Sequence, residues 1–253
     1  MLNIIEIYRI DEWWHYLGFI MIGFLLNSSF NLDLLKYLLL GSFLLAYAYS
    51  LNDYYDKKTK KYFILPLVLS LLFLTFLNFI QIILSLLFLI IFTLYSAKPI
   101  RFKSLPFVCT ILNGIGFILL FFIGYFKTTL ISNNIFFFLP LFTLEIVAQL
   151  IHEIIHMKTD LKEKIKTTAI LLKETKIKKI CIIFLISTSI YAIILFMFDI
   201  MRILTTILLI FLSMYFSLRI HHIINEKLRR DFKLYFIAWG LVVLIENCLN
   251  FII

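Results

Sequence analysis

Nine long runs of apolar residues follow one another along almost the whole chain, with short polar segments between them. A run of about twenty apolar residues is the length at which an α-helix crosses the hydrocarbon core of a membrane. A lone spanning segment must satisfy its own backbone hydrogen bonds, so runs of this length indicate helices rather than the shorter, alternating strands of a membrane barrel. The sequence therefore predicts an all-α, polytopic membrane protein with nine transmembrane helices. The predicted spans are residues 13–30, 34–50, 62–79, 81–97, 106–126, 132–152, 178–198, 202–220 and 233–253.

The composition agrees with a membrane protein and excludes a soluble enzyme. Of the 253 residues, 62% are hydrophobic and 15% are charged, whereas a soluble domain carries about 25% charged residues. The net charge of +9 would suggest nucleic-acid binding in a soluble protein, but membrane topology explains it here. All but three of the 24 Lys and Arg residues fall on one side of a nine-span arrangement, the exceptions being Lys36, Lys127 and Arg202. We therefore expect a multi-pass cell-membrane protein with a cytoplasmic N-terminus, an outside C-terminus and no nucleic-acid partner.

A polar motif with two carboxylates follows the second apolar run. It reads NDYYD, and its polar side chains are Asn52, Asp53 and Asp56. If the helix continues through the motif, Asp53 and Asp56 are three residues apart and share a face. Carboxylate and amide oxygens that converge at the edge of a membrane suit a hard divalent cation such as Mg²⁺. The solvated end of a helix is the alternative that this motif leaves open.

Three cations follow the fourth run within six residues. Lys98, Arg101 and Lys103 belong to the segment YSAKPIRFK, residues 95–103, on the same side of the predicted membrane as the two aspartates. The positive-inside rule explains a single lysine at this place, but not the Tyr95-Ser96 pair before a basic loop that contains a proline. Cations that face carboxylates across a pocket suit a diphosphate held by Mg²⁺.

The sixth run carries a polar stripe that continues into the next loop. At helical spacing the stripe consists of Glu145, Gln149, His152, Glu153, His156 and Asp160. Glu145 is expected within the membrane, where an ionisable side chain is costly and usually faces the bundle interior or a water-filled cavity. His152 and His156 also form an HExxH motif with Glu153, as in zinc peptidases. A zinc site needs a third ligand, and the candidates are Glu174, His221 and His222.

In order along the chain, these motifs resemble those of the UbiA superfamily of intramembrane prenyltransferases. The family motif NDxxDxxxD, after its second helix, is matched at Asn52, Asp53 and Asp56. Its YSxxPxRxK-like stretch, after the fourth helix, is matched at Tyr95, Ser96, Pro99, Arg101 and Lys103. Its second acidic motif, after the sixth helix, is matched at Glu153, Asp160 and Thr167 or Thr168. Residues 9–14, which read RIDEWW, are similar to the arginine-and-tryptophan entry of some members.

The resemblance implies nine helices in a bundle around a central cavity, formed by residues 1–253 as a single domain. It implies Mg²⁺ as cofactor, a polyprenyl diphosphate as donor and an aromatic or lipid acceptor in the membrane. The implied metal ligands are Asp53, Asp56, Glu153 and Asp160. The implied substrate-binding residues are Asn52, Tyr95, Ser96, Lys98, Arg101, Lys103, Glu145 and His152. The implied catalytic residues are Asp56, Asp160 and His156, and either His152 or His156 is a candidate base for the acceptor.

Two positions depart from the family pattern. Lys60 stands where the first motif has its last acid, and His156 stands where the second motif has an aspartate. Two Mg²⁺ ions could still be held, because Mg²⁺ keeps several waters and shares phosphate oxygens. The departures favour one alternative, a catalytically degenerate family member that binds lipid. A membrane-embedded zinc metalloprotease built on HExxH is the other alternative, and it leaves the NDxxD and YSxxPxRxK segments unexplained.

Overall fold

The computed structural model describes residues 3–28, 30–57, 59–127, 131–162 and 165–249, and these ranges contain helices and short connections but no strand. The all-α fold that the sequence predicts is therefore confirmed. The α-helices are Ile4–Tyr8 (α1), Ile10–Trp13 (α2), Leu17–Asn27 (α3), Asp33–Lys57 (α4), Ile64–Phe73 (α5), Phe79–Ser96 (α6), Val108–Tyr125 (α7), Phe138–Lys162 (α8), Thr168–Met197 (α9), Ile203–His222 (α10) and Glu226–Leu249 (α11). Short 3₁₀-helices are found at Trp14–Tyr16, Leu74–Phe76, Phe102–Ser104 and Asn133–Phe137.

The helices follow the apolar runs of the sequence one by one. Each of the nine runs overlaps one main α-helix, from α3 to α11, and some runs also include a short 3₁₀-helix. Within the described ranges, six helices are long and apolar enough to cross a membrane, namely α4, α6, α7, α8, α9 and α10. Two others, α3 and α5, have 11 and 10 residues, and at about 1.5 Å per residue each covers only half of a ~30 Å hydrocarbon core. The multi-pass membrane architecture is confirmed, and the count of nine spans stays a prediction.

Two compact units divide the chain, and α7 contributes to both. The first, which we name the N-terminal unit, comprises Met1–Phe102 and Gly116–Leu130. The second, which we name the C-terminal unit, comprises Lys103–Ile115 and Ile131–Ile253. The first acidic motif therefore belongs to the N-terminal unit, and the polar stripe of the sixth run belongs to the C-terminal unit.

In the N-terminal unit, α3 and α7 cross with their backbones in direct contact. A Cβ atom at Gly23 would collide with the carbonyl oxygen of Phe121, and a Cβ atom at Gly124 would collide with the carbonyl oxygen of Ile20. Small residues at helix crossings allow such close approach in membranes, where van der Waals packing drives helix association. Glycine is therefore required at both positions by the space available.

The start of α6 is bonded to the end of α7 in the same unit. Asn78 and Gln81 form a reciprocal capping box in the first turn of α6. Their side-chain amides also donate to carbonyl oxygens near the end of α7, Asn78 to Phe126 at 2.7 Å and Gln81 to Ile123 at 2.8 Å. Each amide side chain thus serves one helix start and one helix end, where backbone groups otherwise lack partners.

In the C-terminal unit, a buried carboxylate joins the last two helices. Glu246 of α11 accepts hydrogen bonds from the backbone N–H groups of Leu204 and Thr205, at 3.2 and 3.0 Å, and from the Thr205 hydroxyl. The indole N–H of Trp239 donates to the carbonyl oxygen of Thr205 at 3.2 Å. Because Leu204 and Thr205 lie in the first turn of α10, the Glu246 carboxylate binds where the helix dipole favours negative charge. These contacts hold α10 and α11 together at one end of the pair.

Candidate active site

The two aspartates of the first acidic motif lie near the C-terminal end of α4. The helix continues to Lys57, so Asp53 and Asp56 are three residues apart on a continuous helix, as the sequence predicts. The Asp53 side chain is 10% exposed and that of Asp56 is 21% exposed. The neighbouring Asn52 accepts a long hydrogen bond of 3.5 Å from the hydroxyl of Ser96, at the end of α6. The motif is therefore a partly buried helix end that contacts a second helix.

Asp53 is paired with Arg9 from the start of the chain. The Arg9 Nη1 atom lies 3.0 Å from Asp53 Oδ1, and the guanidinium lies 5.2 Å from the centre of the Tyr49 ring. Its remaining edge binds Glu12 through two hydrogen bonds of 2.9 and 2.5 Å. Burial lowers the pKa of Arg9, but the hydrogen bond and charge of Glu12 and the charge of Asp53 outweigh this effect and raise the pKa above its ordinary value. Arg9 therefore stays positively charged beside the motif.

Asp56 is paired with Arg101 from the basic segment. Arg101 Nη2 donates to Asp56 Oδ1 at 2.9 Å, and both side chains are 21% exposed. The backbone N–H of Arg101 donates to the carbonyl oxygen of Ala97 at 2.8 Å, which folds the segment back against the end of α6. We name the four side chains Arg9, Asp53, Asp56 and Arg101 the aspartate–arginine cluster. Its carboxylates are hard oxygen ligands of the kind that Mg²⁺ takes in proteins, and their chemistry therefore fits this metal.

The rest of the basic segment is divided between the two units. Tyr95 is half-buried, with its ring centre 6.2 Å from that of Phe92. Lys98 is exposed. Lys103 is buried and is the first residue of the C-terminal unit. Ser96 and Arg101, two of the segment's predicted site residues, contact the acidic motif through Asn52 and Asp56.

In the C-terminal unit, Glu153 of α8 is surrounded by hydrogen-bond donors. Its Oε1 atom accepts from the Thr110 hydroxyl at 2.7 Å, the Gln149 amide at 3.2 Å and the Cys109 thiol at 3.5 Å. Its Oε2 atom accepts from the backbone N–H of Ala169 at 3.1 Å. Ala169 is the second residue of α9, so the carboxylate binds an otherwise unpaired N–H group at the start of that helix. Glu153 is thus bonded to both neighbouring helices, α7 and α9.

Thr168 extends this group of contacts. Its hydroxyl lies 2.7 Å from that of Thr110 and accepts from the backbone N–H of Phe107 at 2.9 Å. Thr167, the other threonine matched to the second acidic motif, is buried and lies at the N-cap of α9. We name Cys109, Thr110, Gln149, Glu153 and Thr168 the Glu153 cluster. Its geometry is that of a structural anchor, and a role of Glu153 as a metal ligand stays a prediction.

The other residues of the polar stripe lie along α8. Glu145 and Gln149 are buried, and Asn113 of α7 donates to Gln149 at 2.6 Å. His152 and His156 share a face, with ring centres 4.4 Å apart. Asp160 is half-buried near the end of the helix. A shared histidine face agrees with the HExxH pattern, yet the part of the chain that is described contains no group of three His, Cys, Asp or Glu side chains placed to hold a metal ion.

Two contacts of the site have little or no local signal in the sequence. Arg9 lies 44 residues before Asp53, and its sequence signal is that it is the only Lys or Arg before the first predicted span. Thr110 lies 43 residues before Glu153, and a threonine at the start of an apolar run has no distinguishing pattern. Both residues belong to the candidate site because of tertiary contacts.

Comparison with protein families places the chain among intramembrane prenyltransferases. Residues 57–241 match the UbiA prenyltransferase family. The chain belongs to this family, which confirms the superfamily membership that its motifs predict. The matched region begins directly after Asp56 and contains both the basic segment and the polar stripe. None of the curated proteins matches the chain.

Solved structures share the fold over almost the whole chain. A UbiA homolog from Archaeoglobus fulgidus bound to GPP and Mg²⁺ is 21% identical, with a TM-score of 0.78, and the match covers 95% of this chain and 98% of that chain. The same homolog bound to DMAPP and Mg²⁺ is 20% identical, with equal coverage and a TM-score of 0.77. A structure from work on digeranylgeranylglyceryl phosphate synthase in membranes is 19% identical, with a TM-score of 0.66 and coverage of 97% and 96%. At these identities the matches establish the fold.

Proposed function

We propose that this protein transfers a polyprenyl group from a polyprenyl diphosphate to an aromatic or lipid acceptor in the membrane, with Mg²⁺ as cofactor. The proposal rests on family membership together with the aspartate–arginine cluster. The A. fulgidus homolog, which shares the fold, binds GPP or DMAPP together with Mg²⁺. Two carboxylates beside two guanidinium groups offer ligands for both parts of a metal diphosphate.

The cluster is the observation that carries the proposal. Asp53 and Asp56 would hold Mg²⁺ through carboxylate oxygens, and a metal that also takes phosphate oxygens does not need a third acidic ligand. When bound, Mg²⁺ supplies positive charge that stabilises a departing diphosphate. Arg101 would bind diphosphate oxygens through the planar set of N–H donors that matches phosphate geometry. Ser96 would support this arrangement through Asn52.

The transfer breaks the bond between the allylic carbon and the diphosphate oxygen and forms a bond from that carbon to the acceptor. The ring of Tyr95 could stabilise the positive charge on the allylic carbon. The acceptor loses a proton, and His152 or His156 is the proposed base, since histidine titrates near neutral pH. Asp160 is proposed as a further metal ligand and catalytic residue. From the resemblance to the family motifs we also propose that Glu145, Lys98 and Lys103 bind substrate.

We also propose that residues 1–253 act as one transmembrane domain, since the family match at 57–241 includes parts of both units. The distribution of Lys and Arg supports a cytoplasmic N-terminus, cytoplasmic motif loops and a C-terminus outside.

The experiment uses the purified protein in lipid nanodiscs with labelled geranylgeranyl diphosphate and a panel of aromatic and glycerol-phosphate acceptors. Diphosphate release is followed with Mg²⁺, with Zn²⁺ and with chelator. We expect release that requires Mg²⁺ and increases with one class of acceptor. We expect Asp56→Asn to lower this release by at least about 100-fold, because it removes a carboxylate that would hold the Mg²⁺ needed to stabilise the departing diphosphate.

The matched control is Asp33→Asn at the other end of α4. Asp33 is an exposed carboxylate that pairs with Lys127 at 3.1 Å and with Lys36 at 4.0 Å, so we expect unchanged turnover. Full turnover by Asp56→Asn would contradict the assignment of the metal site. Donor binding without release in the wild-type protein would instead indicate a catalytically degenerate member.

A further inference from the structure

Both aspartates of the NDYYD motif are neutralised by arginines that lie outside α4. Arg9 comes from the junction of α1 and α2, and Arg101 comes from the segment after α6. At most about one fifth of each of the four side chains is exposed, so water screens these pairs less than it screens pairs on an open surface. Each carboxylate therefore already has a strong cationic partner.

The backbone conformation of both arginines is unusual. Arg9 has φ of 52° and Arg101 has φ of 46°, in the left-handed region that residues with a Cβ atom seldom adopt. Such strained residues persist only when surrounding contacts hold them, and they cluster at ligand-binding sites. At Arg9 the holding contact is Glu12, which binds the Nε and Nη2 edge of the guanidinium and leaves Nη1 directed at Asp53.

These contacts have a consequence for metal binding. A divalent cation that binds Asp53 alone must displace Arg9 or lie beside its positive charge, and like charges at such distances repel. A diphosphate changes this balance, because its oxygens are strong partners for a guanidinium. When the donor and the metal bind together, the metal pairs with the Asp53 carboxylate and the Arg9 guanidinium pairs with the diphosphate, so that neither charged group loses an opposite partner.

We propose that Arg9 is an exchangeable counterion. It neutralises Asp53 when no diphosphate is bound, and it moves to a diphosphate oxygen when the donor and the metal bind together. Glu12 stays bound to the Nε and Nη2 atoms of Arg9 while Nη1 changes partner. The protein then binds Mg²⁺ weakly by itself and tightly with diphosphate. This inference rests on the proposed function and adds a second diphosphate-binding arginine to it.

The test measures the affinity of Mn²⁺, a paramagnetic substitute for Mg²⁺, by electron paramagnetic resonance of the purified protein. Binding is measured with and without inorganic pyrophosphate, in the wild type and in Arg9→Gln. We expect pyrophosphate to tighten Mn²⁺ binding to the wild type by about tenfold or more, and Arg9→Gln to bind Mn²⁺ alone about tenfold more tightly than the wild type does. The increase in Mn²⁺ affinity that pyrophosphate causes should therefore be smaller in Arg9→Gln than in the wild type.

Two further variants separate exchange from a purely structural role. Arg9→Lys keeps the charge, so its affinity for Mn²⁺ alone should remain near that of the wild type, while its gain from pyrophosphate should fall because lysine lacks the fork of donors. Arg229→Gln is the control, since Arg229 pairs only with Glu226 one turn away among the described contacts, and it should change neither affinity. If the pair of Arg9 and Asp53 is purely structural, Arg9→Gln should lower the stability of the protein without tightening the binding of Mn²⁺.

Unchanged or weaker binding of Mn²⁺ alone by Arg9→Gln overturns the exchange. If Arg9→Gln does not fold, the measurement on the wild-type protein still tests the exchange. Equal Mn²⁺ affinities of the wild type with and without pyrophosphate also overturn the exchange. A wild type that binds no Mn²⁺ even with pyrophosphate, and releases no diphosphate from the donor, contradicts the proposed function itself.

Discussion

The Glu153 cluster makes a prediction that distinguishes a structural carboxylate from a metal ligand. Glu153→Gln keeps the shape of the side chain but replaces one acceptor oxygen by an NH₂ group. If the amide oxygen takes the place of Oε1, the NH₂ group faces the backbone N–H of Ala169, which now donates to Oε2 at 3.1 Å. If the amide is turned over, the NH₂ group faces the donors at Oε1, of which Thr110 is nearest at 2.7 Å.

The magnitude follows from these two arrangements. An unpaired buried donor costs about 1–3 kcal/mol. Loss of the negative charge at the start of α9 costs about a further 1 kcal/mol in a partly buried setting. Glu153 is 2% exposed, so water cannot replace the lost contacts. We therefore expect Glu153→Gln to lower the free energy of unfolding by about 2–4 kcal/mol.

The assay is reversible denaturation in mixed micelles, followed by tryptophan fluorescence, with Mn²⁺ affinity measured on the same preparations. Glu174→Gln is the control, because Glu174 is 45% exposed and pairs with Lys178 one turn away, and such pairs contribute at most about 1 kcal/mol. A Glu153→Gln variant with wild-type stability and weakened Mn²⁺ binding would refute the structural reasoning and support Glu153 as a metal ligand.

Two further predictions concern packing within the units. Gly23→Ala should destabilise the protein by about 1–3 kcal/mol, since its new methyl group collides with a backbone carbonyl of α7. The control Gly18→Ala should unfold like the wild type, because its new methyl group meets no atom within 4 Å apart from the adjacent residues and the nearby backbone of its own helix. Equal effects of the two substitutions would argue against the close crossing. Thr110→Val should destabilise by about 1–3 kcal/mol through loss of its hydrogen bond to Glu153. Combined with Glu153→Gln it should cost less than the sum of the two single effects, and full additivity in a double-mutant cycle would show that the two side chains are not coupled.

The helices were predictable from the lengths of the apolar runs, but their ends were not. The predicted seventh span begins at residue 178, whereas α9 begins at Thr168. Hydropathy detects only the apolar part of a helix. Because the start of α9 is helical but rich in lysine, the apolar run begins later than the helix does. Lys173, with φ of 65°, interrupts the helix inside this start. At the first run, α3 begins at Leu17 after a short 3₁₀-helix, which a run of apolar residues does not reveal.

The geometry of the candidate site was predictable where it depends on one helix. The shared helix of Asp53 and Asp56 and the shared face of His152 and His156 follow from spacing alone. The partners of the carboxylates do not, because Arg9 meets Asp53 across 44 residues. A pattern of residue types within one segment contains no information about which distant segment packs against it.

If α11 is the ninth span that the sequence predicts, Glu246 has a consequence for how the last two helices enter the membrane. Its carboxylate binds the first turn of α10 but belongs to α11, which is synthesised later. Until α11 is inserted, the amide groups at the start of α10 lack this acceptor, and a solitary α11 would carry an unmatched acid into lipid, where such groups are costly. Biogenesis is therefore expected to deliver α10 and α11 from the translocon as a hairpin, with the acid already matched to the helix that precedes it.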